Sequence, residues 1–442
     1  MMEQTQFVEE VLRIAKTHGV DAEAYINTQN SFQASAAEGE LERYEVSKSG
    51  GLGLRVNVDG RSGYAYTECY EDADTLVERA LDNARSVEGG DEHPMQGPQD
   101  YPVVEPVRLK IEDMPAEERI ALALELERET LAQDSRVQRV AMCLLGVASS
   151  ATTICNSRGL KAARSDMVAY AYALPVAAED GKVQSDAAFR MMDEALDVRA
   201  VAEEAVANTV GRFGAAPVPS GAYRVIIKNT AMASLLEGFV PMFSADEAQK
   251  GSSLLANREG ERVGAACVTI LDDPFHPVAP RAFDDEGTPC VKKRVVDQGV
   301  LTTLLHNLKT AKKADVRSTG NASRPTAASP IAVAPGVFLL EPGEGDFDAL
   351  TTRLGDGLII TDLAGLHTLS HTSGDFSLEA HGVLVENGKA GRAVGDITLA
   401  GNFLSLLRDV EAVANDLRFS LPQGAFVAAP SVLVSALTVA GE

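Results

Sequence analysis

"GLGLRVNVDGRSGYAYT", residues 51–67, decides how this 442-residue chain begins to fold. Leu52, Leu54, Val56 and Val58 fall on one side of an extended strand, Arg55 and Asn57 fall on the other, and Asp59-Gly60 supplies a two-residue hairpin turn. Two antiparallel strands are expected. Upstream, Val8, Val11, Leu12 and Ala15 recur at helical spacing over 5–18, ahead of Gly19. Downstream, Leu76, Ala80, Leu81, Ala84 and Val87 do the same, and Gly89-Gly90 ends that helix. Residues 1–90 therefore read as a helix-and-hairpin domain. Pro94, Pro98, Pro102 and Pro106 follow; each lacks a backbone donor, so 91–108 is a linker.

Past the linker, 115–131 is a Glu/Leu/Ala helix, and "MVAYAYALPVAAEDGKVQSDAAF" (167–189) reads as strands turning at Asp180-Gly181. A helix over 193–213 and a Gly/Pro connector near 214 close a middle α+β domain, 109–214. From 215 to 442, beginning with the strand "YRVIIK" (223–228), Gly-punctuated strand signals outnumber helices, which gives a β-rich C-terminal domain. Its uncharged run 425–441 is too broken to span a membrane: Pro430 interrupts it, and Val432, Val434 and Ala436 alternate as in a buried strand. The fold class is α+β, with helices and sheets in separate blocks.

A net charge of −24 and a pI near 4.7 repel a phosphate backbone, and no basic run offsets them, which argues against direct nucleic-acid binding. Cys69, Cys143, Cys155, Cys267 and Cys290 include no C-x-x-C, so neither a disulfide framework nor a zinc ribbon is indicated and a reducing cytoplasm fits. The acidic start, MMEQTQFVEE, lacks the basic-then-apolar order of an export signal. Neither export nor a membrane is expected.

"LHTLSHTSGDFSLEAHG" (366–382) gathers His367, His371 and His381 with Asp375 and Glu379, residue types that zinc and iron favour. Its Thr, Ser and Gly content favours loops and strands, where the three rings would spread beyond one coordination sphere. Residue types alone leave both a metal site and backbone-bonded loop histidines open. "GGLGL" precedes a strand, not the helix N-terminus that binds phosphate, and no G-x-S-x-G, Walker A or H-E-x-x-H is present. Asp272-Asp273 and Asp284-Asp285, beside Pro or Gly, read as solvated turns. Cys290 has Lys292, Lys293 and Arg294 nearby to lower its pKa but no local His partner, and reads as a structural cysteine.

Taken in order, "GLGLRVNVDGRSGYAYT", "FDDEGTPCVKKRVVDQGVLTTLLHNLKTAKKADVRSTGNASRP", "SGDFSLEAHGVLVENGKAGRAVGDITLAGNFLSLLRDV" and "PSVLVSALTVAG" closely resemble the TldD/PmbA family over nearly the whole chain. The resemblance implies a three-part α+β chain related to intracellular zinc peptidases that act on peptides and unfolded segments. In the family's catalytic branch, a helix after the strand matching "YRVIIK" carries His-Glu-x-x-x-His and then Leu-Glu-Gly. Here that place reads "NTAMASLLEG". Anchoring on Leu236-Glu237-Gly238 puts Asn229 and Ser234 at the two ligand positions and Thr230 at the general-base position. The further cysteine ligand of that branch has no counterpart, since no cysteine follows Cys290.

The resemblance therefore implies the metal-free, PmbA- or TldE-like branch, with no catalytic residues, no cofactor, and zinc only in a catalytic partner. The implied partners are a TldD-like subunit or a second copy of the chain, with unfolded or precursor peptides as clients, taken by β-augmentation. Gly320 and Asn321 in "STGNAS", Gly374 with Asp375, whose carboxylate would accept backbone N–H bonds in a turn, and His367 are the candidates for a substrate or partner surface. Two rival readings stand beside this one. The first is a stand-alone peptidase or hydrolase using Cys290 or the His367 cluster; the second is a regulator of DNA gyrase acting through protein contacts.

Overall fold

The computed structural model describes residues 2–88, 93–192 and 197–442. Strands Glu40–Val58 and Arg61–Thr67 form the expected hairpin, with Val58 opposite Arg61 across Asp59-Gly60. The first of them also pairs with Asp21–Ala37 along its whole length, from Asp21 opposite Asn57 to Ala37 opposite Glu40. Sequence reading does not find this second hairpin, because the alternation of Phe32, Ala34 and Ala36 rests mostly on small alanines that do not stand out as a strand signal. Helices Gln4–Thr17 and Ala73–Ser86 cover the inner half, where Phe7, Val11, Leu76 and Ala80 pack with Leu52, Leu54 and Val56. The expected stop at Gly89-Gly90 lies outside the described residues; the helix itself ends at Ser86.

The first and middle units share one sheet. Asp21–Ala37 pairs antiparallel with Val137–Asn156, from Glu23 opposite Asn156 to Ser35 opposite Leu144. Lys161–Glu179 continues the sheet and turns at Asp180-Gly181 into Lys182–Ser185, while Ala188–Met191 pairs farther along it, making seven strands. Residues 93–109, the described part of the linker and the residue after it, form no helix or strand, and the sheet is unbroken beside them. Helices Ala116–Ala132 and Val198–Val210 cover this half, with Ala123, Leu126, Val201 and Ala205 against Phe32, Leu145 and Ala171. The second helix is expected from 193; residues 193–196 lie outside the described ones, and Asp197 caps its start by accepting the Ala200 N–H.

The C-terminal unit holds two six-stranded sheets and a small two-stranded one. In one, Gly221–Ile227 lies between Gly357–Ala364, parallel, and Val432–Ala440, antiparallel. Asp375–Glu386 and Lys389–Asn402 extend it, and the latter pairs again with Val432–Ala440, so five strands close into a ring. The other sheet centres on Ile270–Asp272, Val337–Leu340 and Phe426–Ala429. Pro430 thus splits the uncharged run 425–441 into two strands belonging to different sheets. No helix among the described residues is long and apolar enough to cross a membrane.

Helix Asn229–Phe239 packs into the core shared by both sheets, with Leu235, Leu236 and Phe239 fully buried among Val225, Ile270, Phe338 and Leu399. Phe239 stacks on Phe403 at 4.4 Å between ring centroids. Each such side chain contributes about 1.5–3 kcal/mol by leaving water, so this helix is a rigid platform.

Candidate functional site

A groove of about 560 Å³ runs beside that platform helix. Ser234 and Glu237 line it from the helix, residues 332–334 and 423–425 form its walls, and His367 and His371 stand at its rim. Of the three positions read as degenerate, only Ser234 faces this space. Asn229 is buried and turned away: its Nδ2 donates to the Asp416 carbonyl at 2.8 Å, its N–H donates to Ser431 Oγ at 3.0 Å, and its Oδ1 accepts the Thr230 N–H at 2.8 Å. Five residues of regular helix rotate two side chains apart by roughly 140°, which explains the divergence. Glu237 is held at both oxygens, accepting the Ser420 hydroxyl at 2.8 Å and the Gln423 N–H at 2.6 Å. Burial raises its pKa and those two bonds oppose the rise; the carboxylate fastens one wall of the groove to the helix.

The histidines do not converge on a metal. His367 is exposed in the short turn Leu366–Thr368, His371 is half-buried nearby, and His381 lies on strand Asp375–Glu386, opposite Asp362. Among the described residues, no three His, Cys, Asp or Glu side chains lie close enough to hold an ion. Gly374 does make a turn, with φ 78° and its N–H donating to Ser370 O at 2.7 Å. The Asp375 carboxylate, expected to accept backbone N–H groups, instead accepts the Asn402 side-chain amide at 2.9 Å, which lowers its pKa.

The expectation of a surface role fails for Gly320 and Asn321. Gly320 is buried with φ 72°, and Asn321 is 0% exposed. Asn321 donates to Asp272 Oδ2 at 2.7 Å and to Ala334 O at 3.1 Å, while its carbonyl accepts the Ala334 N–H at 2.9 Å. It therefore holds a wall of the groove from behind. Neither Gly374 nor Asp375 lines the groove, so His367 is the one surface candidate that reaches it.

The acidic pairs are not solvated turns. Asp272, Asp273, Asp284 and Asp285 are all buried. Asp272 binds Lys293 at 2.7 Å and Asp273 binds Lys292 at 2.7 Å. Asp285 accepts from Arg164 Nη2 at 2.8 Å, the Tyr25 hydroxyl at 3.1 Å and the Arg324 N–H at 2.7 Å, joining the N-terminal sheet to the C-terminal unit. Asp284 accepts the N–H groups of Glu286, Thr288 and Ala322, each at 2.9 Å. Burial pushes Asp284 and Glu286 up to about 7; the Glu286 charge adds to the rise at Asp284, and Arg55 partly offsets it at Glu286. Sequence reading missed this junction because Tyr25, Arg55 and Arg164 come from far along the chain. The expected effect of basic neighbours on Cys290 is also reversed: burial dominates and pushes its thiol up to about 11.

Fold and groove together define a three-part α+β chain with a ligand-sized cleft beside a helix that presents Ser234 and Glu237 to it. Family models for the first, central and C-terminal domains of the PmbA/TldA metallopeptidases match residues 22–84, 109–213 and 220–441. The chain belongs to the PmbA/TldD metallopeptidase family. It is 26% identical to metalloprotease PmbA of Escherichia coli O157:H7, covering 98% of this chain and 95% of that protein. It also resembles the PmbA homologue of Haemophilus influenzae, 25% identical over 100% of this chain and 96% of the relative. Among solved structures, a Thermotoga maritima protein named for a suggested modulation of DNA gyrase superposes with TM-score 0.91 and 33% identity, covering 99% of this chain and 100% of that one. TldE from Thermococcus kodakarensis shares the fold at TM-score 0.90 and 22% identity, over 98% of this chain and 100% of its own.

Proposed function

We propose that this chain is the non-catalytic, TldE/PmbA-like subunit of a cytoplasmic zinc peptidase pair, enclosing unfolded or precursor peptides while a TldD-like partner supplies zinc and general base. The observation that carries the reading is the platform helix, on which Asn229 is committed to Asp416 and Ser431; the family resemblance assigns Asn229, Thr230 and Ser234 to the positions of the catalytic branch's ligands and base. Asparagine and serine bind zinc weakly, and threonine cannot take a proton from metal-bound water near neutral pH. The short strand Ala332–Val333, which pairs with Ala322–Ser323 on one side, lines the groove and offers its other edge to an extended peptide, a mode that tolerates varied sequences. Unpaired thiols at all five cysteines suit a reducing compartment, and the −24 charge disfavours direct contact with DNA. A stand-alone enzyme built on Cys290 draws no support from its buried, high-pKa thiol.

The test mixes the chain with a catalytic-branch subunit from the same host. Peptide hydrolysis that needs both chains and is abolished by a chelator is expected. A partner fully active alone, or no association between the two, overturns the proposal.

A further inference from the structure

The groove does not end at the platform helix. Ala334, Gly424 and Ala425 line it and also line a second cleft of about 420 Å³, which passes between the C-terminal unit and the N-terminal sheet. Two cations, Arg164 and Arg281, line this cleft, and they differ in kind. Arg164 is fully occupied: Nε reaches Asp166 at 3.1 Å, Nη1 donates to Phe283 O at 3.0 Å and Nη2 reaches Asp285 at 2.8 Å. Arg281 has no ion pair among the described residues, and its Nε and Nη2 are shut from solvent with no hydrogen-bond partner. Nη1 is not among the shut-in atoms, which makes it the nitrogen available to the cleft.

The carboxylates near Arg281 are already spent. Asp272 Oδ1 accepts the Gly336 N–H at 2.7 Å, and its Oδ2 takes Lys293 and the Asn321 amide, each at 2.7 Å. Asp285 is consumed by Tyr25, Arg164 and Arg324, and Asp166 is held by Arg164. Asp272 and Asp285 favour the Arg281 charge from a distance but neither bonds to it, so Nη1, the one nitrogen that the cleft reaches, is free to give an incoming carboxylate a single charge-assisted hydrogen bond. Ser149, Ser150 and Ser323 add hydroxyls to the same cleft, and Pro335 and Phe426 give it an apolar side.

We infer that this second cleft receives the C-terminal carboxylate of a bound peptide, with Arg281 as its anchor. The inference rests on the peptide-enclosing reading of the groove and adds a direction to it. The peptide's last residue sits against Arg281, and the preceding residues pass along the 332–334 wall toward Ser234 and His367. A terminal carboxylate is the one anion every unmodified peptide carries whatever its sequence, so this recognition keeps side-chain tolerance while selecting for a free end.

The probe is a short unstructured peptide of alanine, serine and glycine, labelled at its N-terminus and made both as free acid and as C-terminal amide. Binding to the full chain, alone and with its catalytic partner, is read by fluorescence anisotropy, with N-acetylalanine as a competing free carboxylate. The acid is expected to bind about ten- to a hundredfold more tightly than the amide, the worth of a charge-assisted hydrogen bond. Arg281→Met should erase that difference while leaving amide binding in place, and Arg281→Lys should keep part of it. Should Arg281→Met fail to fold, the acid-to-amide ratio of the parent protein still decides. Equal binding of acid and amide overturns the anchor and leaves the groove reading standing. Binding of neither, even with the partner, overturns both. N-acetylalanine binding as tightly as the acid peptide makes this a free-carboxylate site and overturns the peptide assignment.

Discussion

Replacing Arg55 with methionine probes the junction between the N-terminal sheet and the C-terminal unit. Arg55 is 0% exposed; its Nη2 meets Glu23 at 3.0 Å, and its Nη1 donates to the carbonyls of His93 and Pro94 at 3.0 and 3.2 Å. Removing it strands Glu23, itself fully buried, and takes a guanidinium, at 4.0 Å, from Glu286. Breaking a buried pair costs about 3–5 kcal/mol, and each orphaned carbonyl adds about 1 kcal/mol. Two features pull the total down: Arg324 Nη1 stands 3.8 Å from the same Glu23 oxygen, and methionine fills the space of the arginine stem. A loss of about 3–4 kcal/mol is expected. With an unfolding entropy of about 2.1 cal/mol/K per residue, the whole chain would melt roughly 4 °C lower. Calorimetry and urea titration on the parent, Arg55→Met, Glu23→Gln and the double variant give the coupling. The double variant should lose at least about 1 kcal/mol less than the sum of the singles. A loss under about 1 kcal/mol for Arg55→Met, or additivity within about 0.5 kcal/mol, refutes the assignment of this pair as a structural clamp.

The junction should also make stability pH-dependent. Burial holds Asp284 and Glu286 well above the ordinary carboxylate range in the folded chain, which therefore holds protons that the unfolded chain releases. Their contribution is complete below about pH 4 and is lost as pH rises through about 7, which predicts a stability that falls by about 2–4 kcal/mol for the pair between pH 5 and pH 8, with the melting temperature falling alongside it. Asp284→Asn with Glu286→Gln should flatten that slope, and a melting temperature that climbs over the same range contradicts the assignment. Grafting Asn229→His, Thr230→Glu and Ser234→His should yield neither stoichiometric zinc nor peptidase activity in the isolated chain, because position 229 faces Asp416 while position 234 faces the groove. Tight one-to-one zinc in that variant, measured by elemental analysis, would show that the helix can bend to bring the two together.

Local periodicity carries what the sequence could determine. The alternation of 51–58 and the Asp59-Gly60 turn specify a hairpin, the i, i+3, i+4 spacing around Val8 and Leu76 specifies helices, and Pro430 specifies a break, because each rests on contacts within a few residues. The degenerate triplet Asn229, Thr230 and Ser234 was visible only through the family resemblance, since nothing in its residue types announces a lost metal site. Tertiary structure alone decided the rest. The strand around Phe32 pairs locally with Glu40–Val58 on one side, but the other side joins Val137–Asn156, more than a hundred residues away, and no local pattern announces that pairing. Asp272 and Asp285 look solvated beside glycine and proline until Lys293, Arg164 and Tyr25 are folded against them. Which of two helix positions five residues apart faces a groove depends on what packs around that helix. The groove itself exists only where 332–334 and 423–425, ninety residues apart in the chain, come together beside Ser234.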